Sequence, residues 1–407
     1  MSVKKTVIGI DLGTDSIKVV ALEVVPGENL PRVLGVGGAV SKGIRKGVII
    51  EPEETGLALK EALESLKKSA NIKNTAYYIG LGGIGLGFQK VKGTIAISRA
   101  DGEITKEDVK RTVKTSEDNL TKLQNREILH KIPMHYKVDN EMWNQDPVGL
   151  MGLKLEAETL FITYLTQNAK SVIKTLETAE LNVEEMMATP LAAAGAVLSK
   201  RDKEIGGIIL DLGAYTTSVI LFAEGLPFSL EVIPFGSAHI THDIAIGFKT
   251  TIEEAEKLKI NYGAVGSEAV SFKKPARPAG WDELVYGNYS KKKLAEIIEA
   301  RLSDIFELAA KHLKKVEMAG LLPAGVFIVG GGANLPGIES FAKDILDLPA
   351  RVSEPANLGG VKEKIKNPAW AGAVGIALTA LEKESSVSQL FRGNSGSFFR
   401  WLRAFLP

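Results

Sequence analysis

One short pattern occurs twice in this chain. "IDLGTDSIKVV" at 10–20 and "LDLGAYTTSVI" at 210–220 align residue for residue, each preceded by an apolar run, at a separation of 200 positions. A sequence that repeats itself at such an interval is expected to fold as two related halves. The 407 residues also exceed the size at which one hydrophobic core usually stops growing, so the halves should be distinct bodies around a shared cleft. In each copy an apolar strand ends at an aspartate, and Leu-Gly with small residues turns the chain into a second strand. A third glycine cluster, "VFIVGGGANLPGI" at 326–338, follows another apolar run.

Short apolar runs alternate with amphipathic segments along most of the sequence, the pattern of an α/β protein. Strands are predicted at 6–11, 17–24, 32–40, 76–81, 206–211, 217–222, 229–234 and 325–329. Helices are predicted for "EETGLALKEALESLKKSA", "KEDVKRTVKTSEDNLTK", "NAKSVIKTLETAE", "TIEEAEKLKINYG" and "KKKLAEIIEARLSDIFELAAKHLKKVEMAG". In the last of these, Leu294, Ile297, Ile298, Leu302, Ile305, Phe306 and Leu308 fall near one side, so its role is packing.

Bulk properties exclude several functions. Lys and Arg number 50 against 49 Asp and Glu, which leaves no basic footprint for a nucleic acid partner. The chain has no cysteine, so disulfides, thiolate metal sites and thiol nucleophiles are ruled out. His239 and His242 read as an exposed helical pair rather than ligands, and no metal site made of side chains alone is expected. The N-terminus runs straight into a strand and does not read as a signal peptide. The longest apolar stretches, near 319–333 and 368–381, are Gly-rich and fall short of the roughly 20 residues that a membrane-spanning helix needs.

The glycine motifs carry the chemistry. An Asp-Leu-Gly hairpin lets backbone N–H groups and hydroxyls approach phosphate oxygens without obstruction. This explains the carboxylates: at strand ends, Asp11 and Asp211 can hold a hydrated Mg²⁺ that bridges phosphates. Lys18, on the returning strand, can neutralise phosphate charge. Each glycine alone is an ordinary tight turn. Two copies in matched contexts, with Gly330, Gly331 and Gly332 after a third strand, point to a nucleotide site.

In order and spacing these elements resemble the actin, Hsp70 and sugar kinase superfamily, with two phosphate hairpins and an adenosine motif. The resemblance implies a two-lobed, duplicated, ribonuclease H-like ATPase fold binding ATP and Mg²⁺. It assigns Asp11, Gly13, Thr14, Asp15, Ser16 and Lys18 to the first hairpin, and Asp211, Gly213, Ala214, Tyr215, Thr216 and Thr217 to the second. Gly236 is carried over with the second hairpin. Gly331, Gly332, Ala333 and Leu335 would line the adenosine side, and "EAEKLK" would place Glu256 and Lys259 at the ribose and adenine. The bland reading of that last pair is an exposed helical ion pair. Where the Hsp70 branch carries a carboxylate that orients the attacking water, this chain has Thr189. A hydroxyl is a poor general base at neutral pH, so hydrolysis is expected to be slow or absent.

"SKGIRKGVIIEPEETGLALKEALESLKKSA" (41–70), followed by a glycine-rich strand and an insertion, is similar to FtsA, the bacterial cell-division branch. That resemblance implies subdomain 1A at 1–84, an inserted α+β subdomain 1C at 85–165, a return to 1A at 166–195, 2A at 196–236, 2B at 237–318, 2A again at 319–355, and 1A at 356–382. It further implies a protein that forms filaments with itself on the cytoplasmic membrane face at the division site. Its partners would be the C-terminal peptide of the tubulin-like FtsZ and other division proteins. The FtsZ peptide would bind 2B, where "SFKKPARPAGWDELVYGNY" offers Lys273, Lys274, Arg277 and Trp281. A solvated loop is the favoured reading of these basic residues, and none is assigned to a site.

The C-terminus can be read on its own. Residues 383–396 are rich in Ser and Gly, the composition of a flexible linker, and "SFFRWLRAFLP" follows. At about 100° per residue, Phe398, Phe399, Trp401, Leu402, Phe405 and Leu406 share one side while Arg400 and Arg403 take the other, the pattern of a helix lying on an anionic lipid surface. Partial insertion of these apolar side chains is worth roughly 5–8 kcal/mol, set against the ordering cost of a short tail. Clustering tails on a polymer would multiply modest single affinities. A tail docked on its own body is the bland alternative. A PilM-like type IV pilus component, or a sugar kinase, are the competing readings of the whole chain; neither accounts for a lipid-seeking tail.

Overall fold

The structure of the protein is a computed structural model that describes residues 6–25, 27–28, 30–70, 72, 75–120, 124–266 and 290–384. The predicted amphipathic tail at 397–407, most of the linker before it, and the basic stretch around Lys273, Lys274, Arg277 and Trp281 lie outside the described residues.

The first half opens with an antiparallel meander, β1 (Thr6–Leu12), β2 (Ser16–Glu23) and β3 (Arg32–Val40). A short hairpin, β4 (Ile44–Arg45) and β5 (Val48–Ile49), leads into helix α1 (Pro52–Ser69), and β6 (Thr75–Leu81) then pairs parallel with β1. An inserted unit follows: β7 (Leu86–Ala96), helix α2 (Lys106–Asp118), β8 (Arg126–Val138), β9 (Glu141–Trp143) and β10 (Lys154–Leu165), with sheet order β7-β10-β8-β9. Gly93 of β7 lets α2 approach closely, since a Cβ there would lie 2.3 Å from Ser116 N and Thr112 O. Helix α3 (Thr166–Thr178), strand β11 (Glu185–Ala188) parallel to β6, and helix α4 (Thr189–Val197) complete the half.

After helix α5 (Lys200–Ile205) the same design recurs. β12 (Gly207–Leu212), β13 (Thr217–Ala223) and β14 (Leu226–Ile233) form the second meander. Helices α6 (Ser237–Phe248), α7 (Ile252–Tyr262) and α8 (Lys291–Lys315) precede β15 (Gly325–Val329), which pairs parallel with β12. Helix α9 (Ile338–Leu346) connects to β16 (Ala350–Val352), β17 (Gly359–Gly360) crosses back to the edge of β3, and helix α10 (Ala371–Glu384) ends the described chain. The orders β3-β2-β1-β6-β11 and β14-β13-β12-β15-β16 are the same arrangement built twice, so the sequence repeat is a structural duplication. Each predicted strand is present within a few residues of its expected ends. In α8, Leu294, Ile298, Leu302, Ile305 and Phe306 are buried as the periodicity requires, while Ile297 and Leu308 are only partly covered.

The halves are joined by the equivalent helices α4 and α10. Both are rich in Ala and Gly, and side chains this small let two helix backbones come together: a Cβ on Gly375 would lie 2.0 Å from Ala192 O. α4 follows the first sheet yet also contacts β12 and β13 of the second, whereas α10 follows the second sheet and lies on β1, β2 and β6 of the first. Each half therefore lends a helix to its neighbour. Gly375→Ala should cost about 1–3 kcal/mol because rigid backbone blocks the added methyl. At Gly195 of α4 the nearest atom, Thr379 Oγ1, is 3.8 Å away, so Gly195→Ala should be neutral or stabilise by up to about 1 kcal/mol through helix propensity. Urea midpoints of the two variants, moving in opposite directions or differing by the full cost of the clash, would check this seam.

Candidate functional site

In β1, Asp11 lies opposite Lys18 of β2; in β12, Asp211 lies opposite Ser218 of β13. Both aspartates sit near the C-terminal ends of strands that have an antiparallel neighbour on one side and a parallel one on the other, at the sheet end where crevices in α/β folds form. Each is half-buried by surface, yet surrounded by enough protein that desolvation dominates its chemistry. Burial raises the Asp11 carboxyl above the ordinary range, and the nearby Lys18 charge only partly offsets this. Burial pushes Asp211 up to about 7, the charge of Asp11 pushes it the same way, and Lys18 opposes. The two carboxylates thus feel one another across the gap between the halves, with Lys18 acting on both.

The turns beside them are held by hydrogen bonds from distant segments. Ser41 Oγ donates to Gly13 O at 2.7 Å, Ser41 N donates to Asp15 O at 2.9 Å, and Gly47 N donates to Thr14 Oγ1 at 2.9 Å. Lys18 Nζ donates to Ser16 Oγ at 2.7 Å, and the Asp15 side chain is exposed. In the second turn Gly213 N donates to Thr216 O at 3.0 Å. The carbonyls of Gly213 and Ala214 accept from Ser237 N and Ala238 N, at 2.9 and 2.7 Å, so the turn caps the start of α6. The Gly236 amide donates to His239 Nδ1 at 3.1 Å. His239 and His242 differ from the exposed pair expected: both are half-buried, with the Tyr215 ring edge-on to them at 5.7 and 6.2 Å.

The third glycine turn meets the second carboxylate. A Cβ on Gly330 (φ 87°) would lie 2.4 Å from Asp211 Oδ1, and one on Gly332 would lie 2.4 Å from Leu212 Cγ, whereas the Cβ direction of Gly331 opens into free space. Leu335 adjoins Gly263 at the end of α7, which carries Glu256 and Lys259. These two are not an exposed pair. Lys259 Nζ reaches Glu256 Oε2 at 2.8 Å, Thr241 Oγ1 at 2.8 Å and Ser237 O at 3.2 Å, with its side chain only 12% exposed. The lysine therefore uses its donors to fix Glu256 against α6.

Two expected ligand residues turn inward. Thr217 lies opposite Leu212 on the buried face of the hairpin, and its hydroxyl donates to Phe235 O at 2.8 Å. Ala333 is buried in the core of the second half, so only its backbone borders the turn. Two neighbours of the aspartates, Ser218 and Gly372, were not anticipated as site residues, and a third, Gly330, was expected only as part of the glycine cluster. Ser218 occupies on β13 the place that Lys18 holds on β2. Gly330 makes room for Asp211. A Cβ on Gly372 of α10 would lie 3.0 Å from Asp11 Oδ2 and 2.9 Å from Thr189 Cγ2. Thr189 itself is 6% exposed, and its buried hydroxyl has no hydrogen-bond partner among the described residues. The signal for Ser218 was available in the alignment of the repeats; Gly372 gave none beyond a Gly-Ala run in a helix.

Two desolvated carboxylates offset by one lysine, an orphaned hydroxyl beside one of them and glycine-lined space beside both fit a hydrated divalent cation with phosphate. In the unliganded protein, Asp211 should make stability pH-dependent. The folded chain retains a proton on Asp211 that the unfolded chain releases near the ordinary carboxylate value of about 3.9. Stability from this group is therefore complete below that value and declines as pH rises toward about 7. Asp211→Asn should flatten the fall in thermal midpoint between pH 5 and 8; an unchanged slope in the variant would place the titration elsewhere.

Comparisons with known proteins agree with this architecture. The family model "Cell division protein FtsA" matches residues 208–375, and "SHS2 domain inserted in FTSA" matches 83–163, the inserted sheet. Cell division protein FtsA of Borreliella burgdorferi is 29% identical over 94% of this chain and 92% of that protein. FtsA of Pseudomonas aeruginosa is 27% identical over 97% and 94%, and that of Escherichia coli K12 26% over 99% and 98%. Among solved structures, a PilM-PilN type IV pilus biogenesis complex superposes with TM-score 0.64 at 16% identity, covering 92% of this chain and 98% of that one. MreB5 of Spiroplasma citri bound to ADP superposes with TM-score 0.53 at 14% identity, covering 96% and 99%. At these identities the structures speak to fold alone, and the fold is actin-like. With two FtsA-specific matches on either side of the cleft and full-length relatives of that one name, the chain belongs to the FtsA family of actin-like cell-division proteins.

Proposed function

We propose that the cleft binds ATP with Mg²⁺, and that the protein assembles into filaments on the cytoplasmic face of the membrane and tethers the FtsZ ring there. The observation that carries the nucleotide reading is the matched pair of acidic hairpins whose carboxylates sense each other across the gap. Asp11 and Asp211 would hold the hydrated metal, which would supply positive charge to the phosphates. The turn at Gly13, Thr14, Asp15 and Ser16, with Lys18, and the turn at Gly213, Ala214, Tyr215 and Thr216 cradle the phosphates. Gly331, Gly332, Leu335 and Glu256, the last held by Lys259, border the nucleoside. Thr189, lacking a carboxylate's basicity, leaves the nucleotide as a conformational ligand rather than a rapidly spent one.

The subdomain division follows the same reading, with 85–165 as the insertion and 237–318 as the small subdomain that receives the FtsZ C-terminal peptide. No helix among the described residues is long and apolar enough to cross a membrane. Attachment is assigned to the sequence pattern at 397–407, where Phe398, Phe399, Trp401, Leu402, Phe405 and Leu406 would enter the lipid and Arg400 and Arg403 would meet anionic headgroups. The pilus reading rests on fold similarity alone and leaves this tail without a purpose.

Deleting 397–407 should release the protein from anionic liposomes in a sedimentation assay while nucleotide binding persists, with turnover in both forms well below about 10 per second. Unchanged sedimentation would remove the anchor from the account, and rapid turnover would remove the conformational-ligand reading.

A further inference from the structure

The cations around the cleft differ in what they already hold. Lys18 is bound to Ser16 Oγ and acts on the two interior aspartates. Lys259 is saturated by Glu256, Thr241 and Ser237, and Arg301 is spent on Asp243 and Asp304. Lys46 is different: it is exposed and has no ion-pair partner among the described residues.

Its placement is fixed by backbone rather than by chance. Lys46 occupies the tip of the β4–β5 hairpin in the left-handed region (φ 50°), followed by Gly47 (φ 72°). Gly47 N bonds to Thr14 Oγ1, and the segment leading into the hairpin is tied to the same turn by Ser41. On its other side the tip is wedged against Gly83: Ile84 N donates to Lys46 O at 3.3 Å, and a Cβ on Gly83 would lie 2.3 Å from that carbonyl. A hairpin clamped between the first acidic turn and the β6–β7 connection presents its tip at the cleft. A non-glycine residue held at positive φ by such contacts is a reason to look for function.

The lysine also acts across the gap. Burial holds His239 of α6 below its ordinary value, and the charges of Arg301, His242 and Lys46 push the same way. A cation carried by the first half thus lies within electrostatic reach of the helix that the second acidic turn caps.

We propose that Lys46 contacts the outermost phosphate of a nucleoside triphosphate and sets the preference of the cleft for a triphosphate over a diphosphate. The inference rests on the nucleotide reading above and adds to it the residue that distinguishes the two ligand states. The turns would serve the inner phosphates; a third phosphate would add charge beyond what they offset, and the uncommitted ammonium at the hairpin tip would form a charge-assisted contact with it. Because that contact joins a first-half residue to a ligand also held by the second half, it exists only in the triphosphate complex.

The test is titration calorimetry of the full chain with ATP and with ADP, each in saturating Mg²⁺. Lys46→Gly suits the positive φ and removes the charge without strain. It should weaken ATP about tenfold, the scale of one lost charged contact, while ADP affinity stays within about twofold. Lys46→Arg should keep most of the preference, and Arg45→Ala should leave both affinities unchanged. Equal losses for ATP and ADP, or no change for either, would overturn the assignment. If the wild-type chain binds neither nucleotide, the underlying reading falls first and this one with it, and that failure is visible before any variant is made.

Discussion

Two carboxylates that desolvate and repel each other are the constraint on which this molecule turns. Asp11 and Asp211 occupy equivalent places in two copies of one hairpin, and nothing in either half alone calls for an acid there. Facing each other with only Lys18 to offset them, they leave the unliganded protein in a state that uptake of a proton or a cation relieves. The charge arrangement is a cost to the empty fold and a source of affinity for the filled one.

The rest of the architecture brings those two groups into register. Five strands in the same order in each half place the acids at matching depths. The exchange of α4 and α10 locks the halves through a seam of small residues, and the same two helices end at the site: α4 begins at Thr189, and α10 brings Gly372 to within a methyl's breadth of Asp11. The packing that joins the lobes is therefore continuous with the floor of the cleft. A rearrangement at the aspartates has a short mechanical route to α10, whose last turn precedes the tail that the family reading assigns to lipid. Lys383 near that end is paired with Glu185 of β11, the strand that leads to Thr189.

The hairpins and central strands were legible in the sequence because they are local: an apolar run, an acid and a glycine turn need only neighbouring residues. Face assignment was less legible, because it depends on which residue lies opposite which. Thr217 was expected at the phosphates for its hydroxyl, yet the register Leu212–Thr217 puts it inside, and the same register gives Ser218 the position facing Asp211. The superfamily resemblance placed Ala333 at the adenosine side, and the core of the second half claimed its methyl. Glu256 and Lys259 were correctly seen as a pair, but their ties to Ser237 and Thr241 arise from contact between two helices, which spacing along one helix does not encode. Gly372 reaches Asp11 only after the chain has folded from positions far apart in sequence, so its residue type alone carried no address, whereas Thr189 was located by the superfamily resemblance.

The measurement closest to the central claim is the proton balance of nucleotide binding. Calorimetric titrations of the full chain with nucleotide in saturating Mg²⁺, repeated in buffers of different ionisation enthalpy, report how many protons leave as the complex forms. If the facing carboxylates receive the metal, about one proton should be released near pH 6, where Asp211 is largely protonated, and the release should fade by pH 8.5. Binding with no proton released at either pH, or no binding heat at all, would contradict the account.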